Sequence, residues 1–291
     1  MLTPNQLSTT IGGSQIANIL GVGYGTPLEE YNAIVHPETR RDLSTNPYVV
    51  AGIYLEPVIS TMAKEVLGLP IRQCNVTKFH PQYPFMRANI DGKIEGVEEG
   101  IEFKNRGYFQ GKKYGADGGD EVLDSELAQC LWYLLITGWK RWHLVVLIGG
   151  NDLRHFVIER DEDLIRQLEA KAIHFWNEHV LRQIPPDPIN NSDLKALFPM
   201  DNGTSVVASS EIIELIDALR LAKLEKVSVE IQIKNQIGAH STIVDRAGKT
   251  LATWKVQAVN RIDTTLLKSE LPDVAKKYTK SSTSRVLRIK S

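Results

Sequence analysis

Apolar positions recur along the chain with two periods, and the changes of period mark the elements. Residues 14–20 read as a short helix after a Gly-Gly turn, and residues 26–35 as a second one, with Thr26 as N-cap and Pro27 at its first position. Asn46 opens a longer helix that runs to Leu67, where Gly68 and Pro70 close it. The period then falls to two, with strand pieces at 76–80, 85–90, 93–95 and 101–105. A loop rich in Gly and Asp spans 107–120. Residues 121–137 return to helix and stop at Gly138. Residues 142–148 are an apolar, β-branched strand, 155–159 another, and 161–181 an amphipathic helix with Leu164, Leu168 and Phe175 on one side.

This order predicts an α/β (α+β) fold, a mixed central sheet flanked by helices, over residues 1–183. The double proline at Pro185-Pro186 and the polar run after it make 184–208 a linker. Residues 209–291 read as a helix and hairpin extension with a basic tail. The helix, 209–236, carries Ile212, Leu215, Ile216 and Leu219, although the β-branched run 227–233 competes with it. Residues 242–244 and 251–256 pair as a hairpin around Arg246-Ala247-Gly248.

A length of 291 residues with 42% hydrophobic content suits one large domain or a core with an appendage. No apolar run approaches the ~18–20 residues that cross a bilayer, and the N-terminus lacks a basic-then-apolar signal pattern. Cys74 and Cys130 are far apart and in no metal-type spacing, which fits a reduced, intracellular setting and not a disulfide scaffold. The net charge of −1 hides an asymmetry: from Arg246 to the end there are eleven Lys and Arg against three Asp and Glu. That tail is either a phosphate-binding surface or a solvated end.

The chemistry concentrates in Asn89-Ile90-Asp91-Gly92 and Gly100-Ile101-Glu102-Phe103-Lys104. Alternation puts Glu102 and Lys104 on one face of a strand and Phe103 on the other. An Asp91 held at a turn beside that face completes a cluster of two carboxylates and an ammonium. Two carboxylates repel and are costly to bury without a counter-ion, and a divalent metal supplies one. Magnesium, a hard cation with oxygen ligands, suits the pair and polarises phosphoryl oxygens. Lys104 would orient an attacking water or offset charge in the transition state. Glu56, in Tyr54-Leu55-Glu56-Pro57, offers a third acid for a second metal or a metal-bound water. Glu126, Gln129 and Tyr133 fall at i, i+3 and i+7, a polar stripe among Leu127, Leu131, Leu134 and Leu135 that lines either a site or a solvent edge. Trp132, Trp139, Trp142 and Trp176 lie in strongly apolar elements and are expected in the core.

Taken in order, Gly12-Gly13-Ser14-Gln15-Ile16-Ala17, Leu55-Glu56-Pro57, Asn89-Ile90-Asp91-Gly92, Ile101-Glu102-Phe103-Lys104, Gln129-Cys130-Leu131-Trp132-Tyr133 and Val145 to Gly150 into Arg154-His155-Phe156 and Ile158-Glu159-Arg160-Asp161 resemble the YqaJ-like viral recombinases. These are phage lambda-type alkaline exonucleases of the PD-(D/E)xK nuclease fold. The resemblance covers about residues 11–181, and residues 251–255 to 278–280 resemble the tail of some phage members. It implies a processive, magnesium-dependent 5′-to-3′ exonuclease on linear duplex DNA ends. Manganese would substitute, and two ions would act during catalysis. The product, a 3′ single strand, would pass to a single-strand annealing protein, and the enzyme would be a trimeric ring in the cytoplasm of a phage's host. By the same resemblance Asp91, Glu102 and the Phe103 carbonyl bind metal, Lys104 is catalytic, and Glu56 lies at the second metal position or its waters. Gln129 places the metal water or Lys104, and Ser14 holds the DNA 5′ phosphate. The family commonly has an arginine several residues before the Gly-Gly-Ser turn. Here Leu7 and Ser8 stand in that region and no Arg precedes Arg40, leaving Arg40, Arg41 or Arg106 as substitutes.

The other readings are a restriction-type endonuclease or junction resolvase of the same superfamily, and a non-catalytic DNA-binding or assembly protein on this fold. Iron–sulfur relatives need four cysteines, and the chain has two. As for the tail, Lys276, Lys277, Lys280, Arg285 and Arg288 would contact DNA backbone or a neighbouring subunit.

Overall fold

The computed structural model describes residues 9–290. Leu7 and Ser8, where the family's upstream arginine region falls, lie outside the described residues. The chain divides into two compact units, one ending at Leu197 and one beginning at Phe198.

The first unit is a mixed five-stranded sheet in the order β1-β2-β3-β4-β5: β1 (Ile71–Phe79), β2 (Arg87–Ile94), β3 (Glu99–Arg106), β4 (Arg141–Ile148) and β5 (Asp152–Glu159). All neighbours are antiparallel except β3 and β4. A parallel pair needs a crossover, supplied here by a single-turn helix α4 (Tyr108–Gly111) and α5 (Asp124–Thr137). Helices cover both faces. On one side α1 (Gly13–Ile19), α2 (Pro27–Val35), α5 and α6 (Glu162–His174, continued as a π-helix to Leu181) close a core with Trp132, Trp142, Leu144, Val146 and Phe156. On the other side α3 (Pro47–Leu67) packs Ile59 and Ala63 against Ile101, Phe103, Val145 and Leu147. β4 is therefore apolar on both faces, which is why it reads as an unbroken hydrophobic run.

The caps follow the sequence. Thr26 accepts the Glu29 amide at the start of α2, Asn46 accepts Tyr48 and Val49 at the start of α3, and Gly68 and Gly138 end α3 and α5 in the left-handed region. Trp132 and Trp142 are fully buried, and Trp139 and Trp176 pack against the core. A short helix α7 (Asn191–Leu197), inside the segment expected as linker, belongs to the first unit. Its buried Asp193 accepts the Thr26 hydroxyl at 2.8 Å.

One expectation fails in a way that matters for the site. The Asp91-Gly92 pair is not a turn: β2 runs unbroken through it, and the turn comes at Gly96 with φ +83°. Gly92 still pairs with both Gln73 and Ile101 across the sheet, so ladder bonds on both sides override its turn preference.

The second unit contains α8 (Ser210–Ile237), capped by the Ser209 hydroxyl, and a hairpin of β6 (Thr242–Val244) and β7 (Thr250–Thr253). Two short helices follow, α9 (Thr264–Glu270) and α10 (Pro272–Tyr278). The competing β-branched run 227–233 stays helical inside α8. Among the described residues, no helix is long and apolar enough to cross a membrane.

Candidate metal and phosphate site

β2 and β3 pair only at Gly92 with Ile101 and Lys93 with Gly100. Beyond that point the strands part, and the Asp91 carboxylate takes over: its Oδ2 accepts the Phe103 amide at 3.4 Å. The gap between the strands thus brings Asp91 beside Glu102. Alternation does the rest. Phe103 points into the α3-side core, while Glu102 and Lys104 turn to the opposite face and α5.

There the Lys104 ammonium is paired to Glu102 Oε1, and Gln129 of α5 donates to the same oxygen at 2.8 Å. Gln129 also donates to the Tyr133 hydroxyl at 2.8 Å. The other carboxylate oxygen, Glu102 Oε2, is buried and has no hydrogen-bond partner. A buried carboxylate oxygen left bare costs several kcal/mol unless something positive meets it (about 1–3 for a neutral group, more for a charge). The electrostatics agree. Burial, then the Glu102 charge, pushes the Asp91 carboxyl well above its ordinary value. Burial and Glu102 also raise Glu56, which α3 brings within electrostatic reach. Burial works against the Lys104 ammonium, but Glu102, Asp91 and Glu126 outweigh it, so its pKa is raised.

The residues present fit a hard divalent cation: two carboxylates that repel, one bare oxygen between them, and the Phe103 carbonyl on the same strand. Among the described residues, no three His, Cys, Asp or Glu side chains converge as a ready-made cage.

The Gly-Gly-Ser turn lies against the same cluster. Ser14 is exposed on the first turn of α1. A Cβ on Gly13 would stand 2.7 Å from the Tyr133 ring and 2.9 Å from Gln129, so only glycine lets the turn sit on that face of α5. A Cβ on Gly12 would meet the Arg87 guanidinium at 2.9 Å. Arg87 is buried, donating to Thr10 at 2.9 Å and to Gln15 at 3.2 Å, and its pKa is lowered by burial.

Arg87 is the residue that sequence reasoning missed. It lies against the Gly-Gly-Ser turn, where Arg40, Arg41 or Arg106 had been considered, and its position in Met86-Arg87-Ala88, just upstream of the Asn-Ile-Asp-Gly motif, was the available signal. Arg40 bonds the Ala33 carbonyl at 3.0 Å, close enough for its charge to act on Arg87. Arg41 is exposed. Arg106 is committed elsewhere, to Glu126. Of the polar stripe on α5, Gln129 and Tyr133 join the Glu102 cluster. Glu126 instead is buried between the Arg106 guanidinium and the Tyr114 hydroxyl, which donates to it at 2.6 Å.

The chain is 29% identical to the uncharacterized protein YqaJ of Bacillus subtilis (strain 168), over 96% of this chain and 91% of that one. Among solved structures it is similar to an alkaline exonuclease (LHK-Exo) from Laribacter hongkongensis, with 17% identity and a TM-score of 0.49, covering 61% of this chain and 90% of the other. It is also similar to a phage related exonuclease from Haemophilus somnus 129PT, with 12% identity and a TM-score of 0.43, over 60% and 96% of the two chains. Residues 6–140 match the YqaJ-like viral recombinase domain, a stretch that holds Ser14, Glu56, Arg87, Asp91, Glu102, Lys104, Gln129 and Tyr133. Over those residues the chain is similar to the YqaJ-like viral recombinases.

Proposed function

We propose that this protein is a magnesium-dependent exonuclease of the PD-(D/E)xK type that degrades one strand of linear duplex DNA from its 5′ end. The 3′ overhangs it leaves would serve homologous recombination. The observation that carries the reading is the bare, buried Glu102 Oε2 beside Asp91 and Lys104, within a stretch that matches the YqaJ-like viral recombinase domain.

Asp91, Glu102 and the Phe103 carbonyl would hold the metal, and Glu56 would order the second ion or its waters. Bound magnesium, or manganese in its place, polarises the phosphoryl oxygen and offsets the charge that develops on it. Lys104 orients the attacking water and stabilises the growing negative charge. Gln129 fixes the Glu102 carboxylate and, with Tyr133, sets where that carboxylate points. Ser14 and the neighbouring Arg87 meet the terminal 5′ phosphate, Arg87 supplying the guanidinium that binds phosphate in a fork. The same proposal includes a homotrimeric ring around DNA, hand-over of the 3′ strand to an annealing protein, and a cytoplasmic setting. It also includes contact of Lys276, Lys277, Lys280, Arg285 and Arg288 with the DNA backbone, within an extension over 209–291.

The test is the purified full chain with magnesium on linear and on covalently closed circular duplex DNA. Loss of linear DNA with circles intact is the expected result. Cutting of circles would make it an endonuclease, and inertness on both in magnesium and manganese would remove the enzyme. A sedimentation measurement on the same sample reads the oligomer.

A further inference from the structure

Beyond the end of β3 the surface changes character. Tyr108 and Phe109, on the single-turn helix α4, are 64% and 82% exposed, their rings in edge contact at 5.7 Å. The Lys112 ammonium lies 4.9 Å from the Tyr108 ring centre and 5.8 Å from that of Phe109. Opposite them Tyr24 is 75% exposed, its hydroxyl held by the Gln110 amide at 3.1 Å. Between the 21–24 loop and α4 opens a cavity of about 390 Å³, lined by Tyr24, Gln110 and Lys113 and, on its far wall, by Asp124 and Ser125.

Three large rings left in water, with two lysines beside them, are not explained by the core. Aromatic faces next to cations are what unpaired nucleic acid needs, because every base offers a π-face and every nucleotide a phosphate. Duplex DNA keeps its base faces stacked and cannot use such rings. The patch also follows in sequence the strand that carries Glu102 and Lys104. Tyr108 follows Lys104 by four residues, the strand ending at Arg106 and Tyr108 opening α4, so the two lie within ~14 Å, the reach of four fully extended residues. That is about four nucleotide steps at ~3.4 Å each.

We propose that Tyr24, Tyr108 and Phe109, with Lys112 and Lys113, form a stacking platform for unpaired nucleotides at the DNA end, beside the cleavage site. This deepens the nuclease reading and rests on it for the identity of the substrate.

The experiment measures binding of a fluorescein-labelled single-stranded oligonucleotide, and of a blunt duplex of equal length, to the full chain in EDTA, where nothing is cut. The double variant Tyr108→Ala/Phe109→Ala should weaken single-strand binding roughly 5- to 150-fold, the contribution of stacking about one base, and change blunt-duplex binding less than about twofold. The variant Tyr108→Phe/Phe109→Tyr, which keeps both rings, should bind like the parent and so excludes a folding defect. Unchanged single-strand affinity in the alanine variant, or an equal loss on duplex, overturns the platform. Cleavage assays on the parent separate the two readings. A parent that cuts linear DNA while the alanine variant binds normally leaves the nuclease standing and removes the platform. A parent that never cuts, but loses single-strand binding with the rings, does the reverse.

Discussion

Glu102, Lys104 and Arg106 share one face of β3, and α5 answers them with Gln129 and Glu126, yet the two ends of this short run are built differently. At Arg106 the helix offers an acid to a base. Glu126 takes the guanidinium on one oxygen and the Tyr114 hydroxyl on the other, so both carboxylate oxygens are used. At Glu102 the helix offers only an amide, and the single ammonium of Lys104 faces Glu102, Asp91 and, further off, Glu56. One cluster is closed in charge, although Arg106 Nε stays bare, and the other carries excess negative charge with an open acceptor. The difference separates a fastening from a candidate site: only the acid-rich cluster leaves a carboxylate oxygen open.

The largest effect should come from breaking the closed cluster. Glu126→Gln leaves the Arg106 guanidinium buried and unpaired, a loss of about 3–5 kcal/mol for a buried pair stripped of one partner. Urea unfolding should show the free energy of unfolding falling by that amount and the midpoint falling with it, while cleavage per folded molecule stays near the parent's. A stable but inactive Glu126→Gln protein would move Glu126 into the site and erase the contrast. Next comes the open cluster. Lys104→Ala should cut the cleavage rate about 10²–10³-fold and leave DNA affinity in EDTA within a few-fold of the parent. Full activity would refute the role given to Lys104.

How far each cluster was legible in the sequence follows from chain distance. Glu102 and Lys104 are two residues apart on an apolar-flanked strand, so alternation alone puts them together. The stripe of Glu126, Gln129 and Tyr133 was readable as one helix face. Its division between two clusters was not, because that depends on which β3 residue lies opposite, 20 residues away for Arg106 and 27 for Glu102. Arg87 was hidden for the same reason: its partners Thr10 and Gln15 lie 77 and 72 residues earlier. Asp91-Gly92 misled because a local turn preference was outweighed by strands on either side. The helices 264–270 and 272–278 were missed, since seven residues each give too few turns for a period to show.

Metal should erase part of the asymmetry. If the open cluster takes magnesium, the parent should gain stability as RT ln(1 + [Mg]/Kd), about 2.7 kcal/mol at a hundredfold excess over Kd. Glu102→Gln and Asp91→Asn, each short of one carboxylate charge, should gain much less, and Glu126→Gln should gain as much as the parent. Equal magnesium stabilisation in all four proteins, read by thermal unfolding, would place the ion elsewhere.

The smallest and most diagnostic effect is the pH dependence without metal. Asp91 holds its proton in the folded state to a pH well above the ordinary carboxylate value, because burial and then the Glu102 charge disfavour its ionised form. The unfolded chain releases that proton near 3.8. Between the two values the folded state binds more protons than the unfolded one, so stability is fully present below about 3.8 and is lost as pH rises through the raised value. The slope is at most about 1.4 kcal/mol per pH unit for one proton. Urea midpoints measured in EDTA from acid to neutral pH should therefore fall with rising pH in the parent and be flatter in Asp91→Asn. Saturating magnesium should remove the fall, since a bound cation favours the ionised carboxylate and reverses the sign of the Asp91 shift. If Asp91→Asn kept the parent's slope, or magnesium left it unchanged, the excess negative charge that distinguishes this end of β3 from the Arg106 end would not be there.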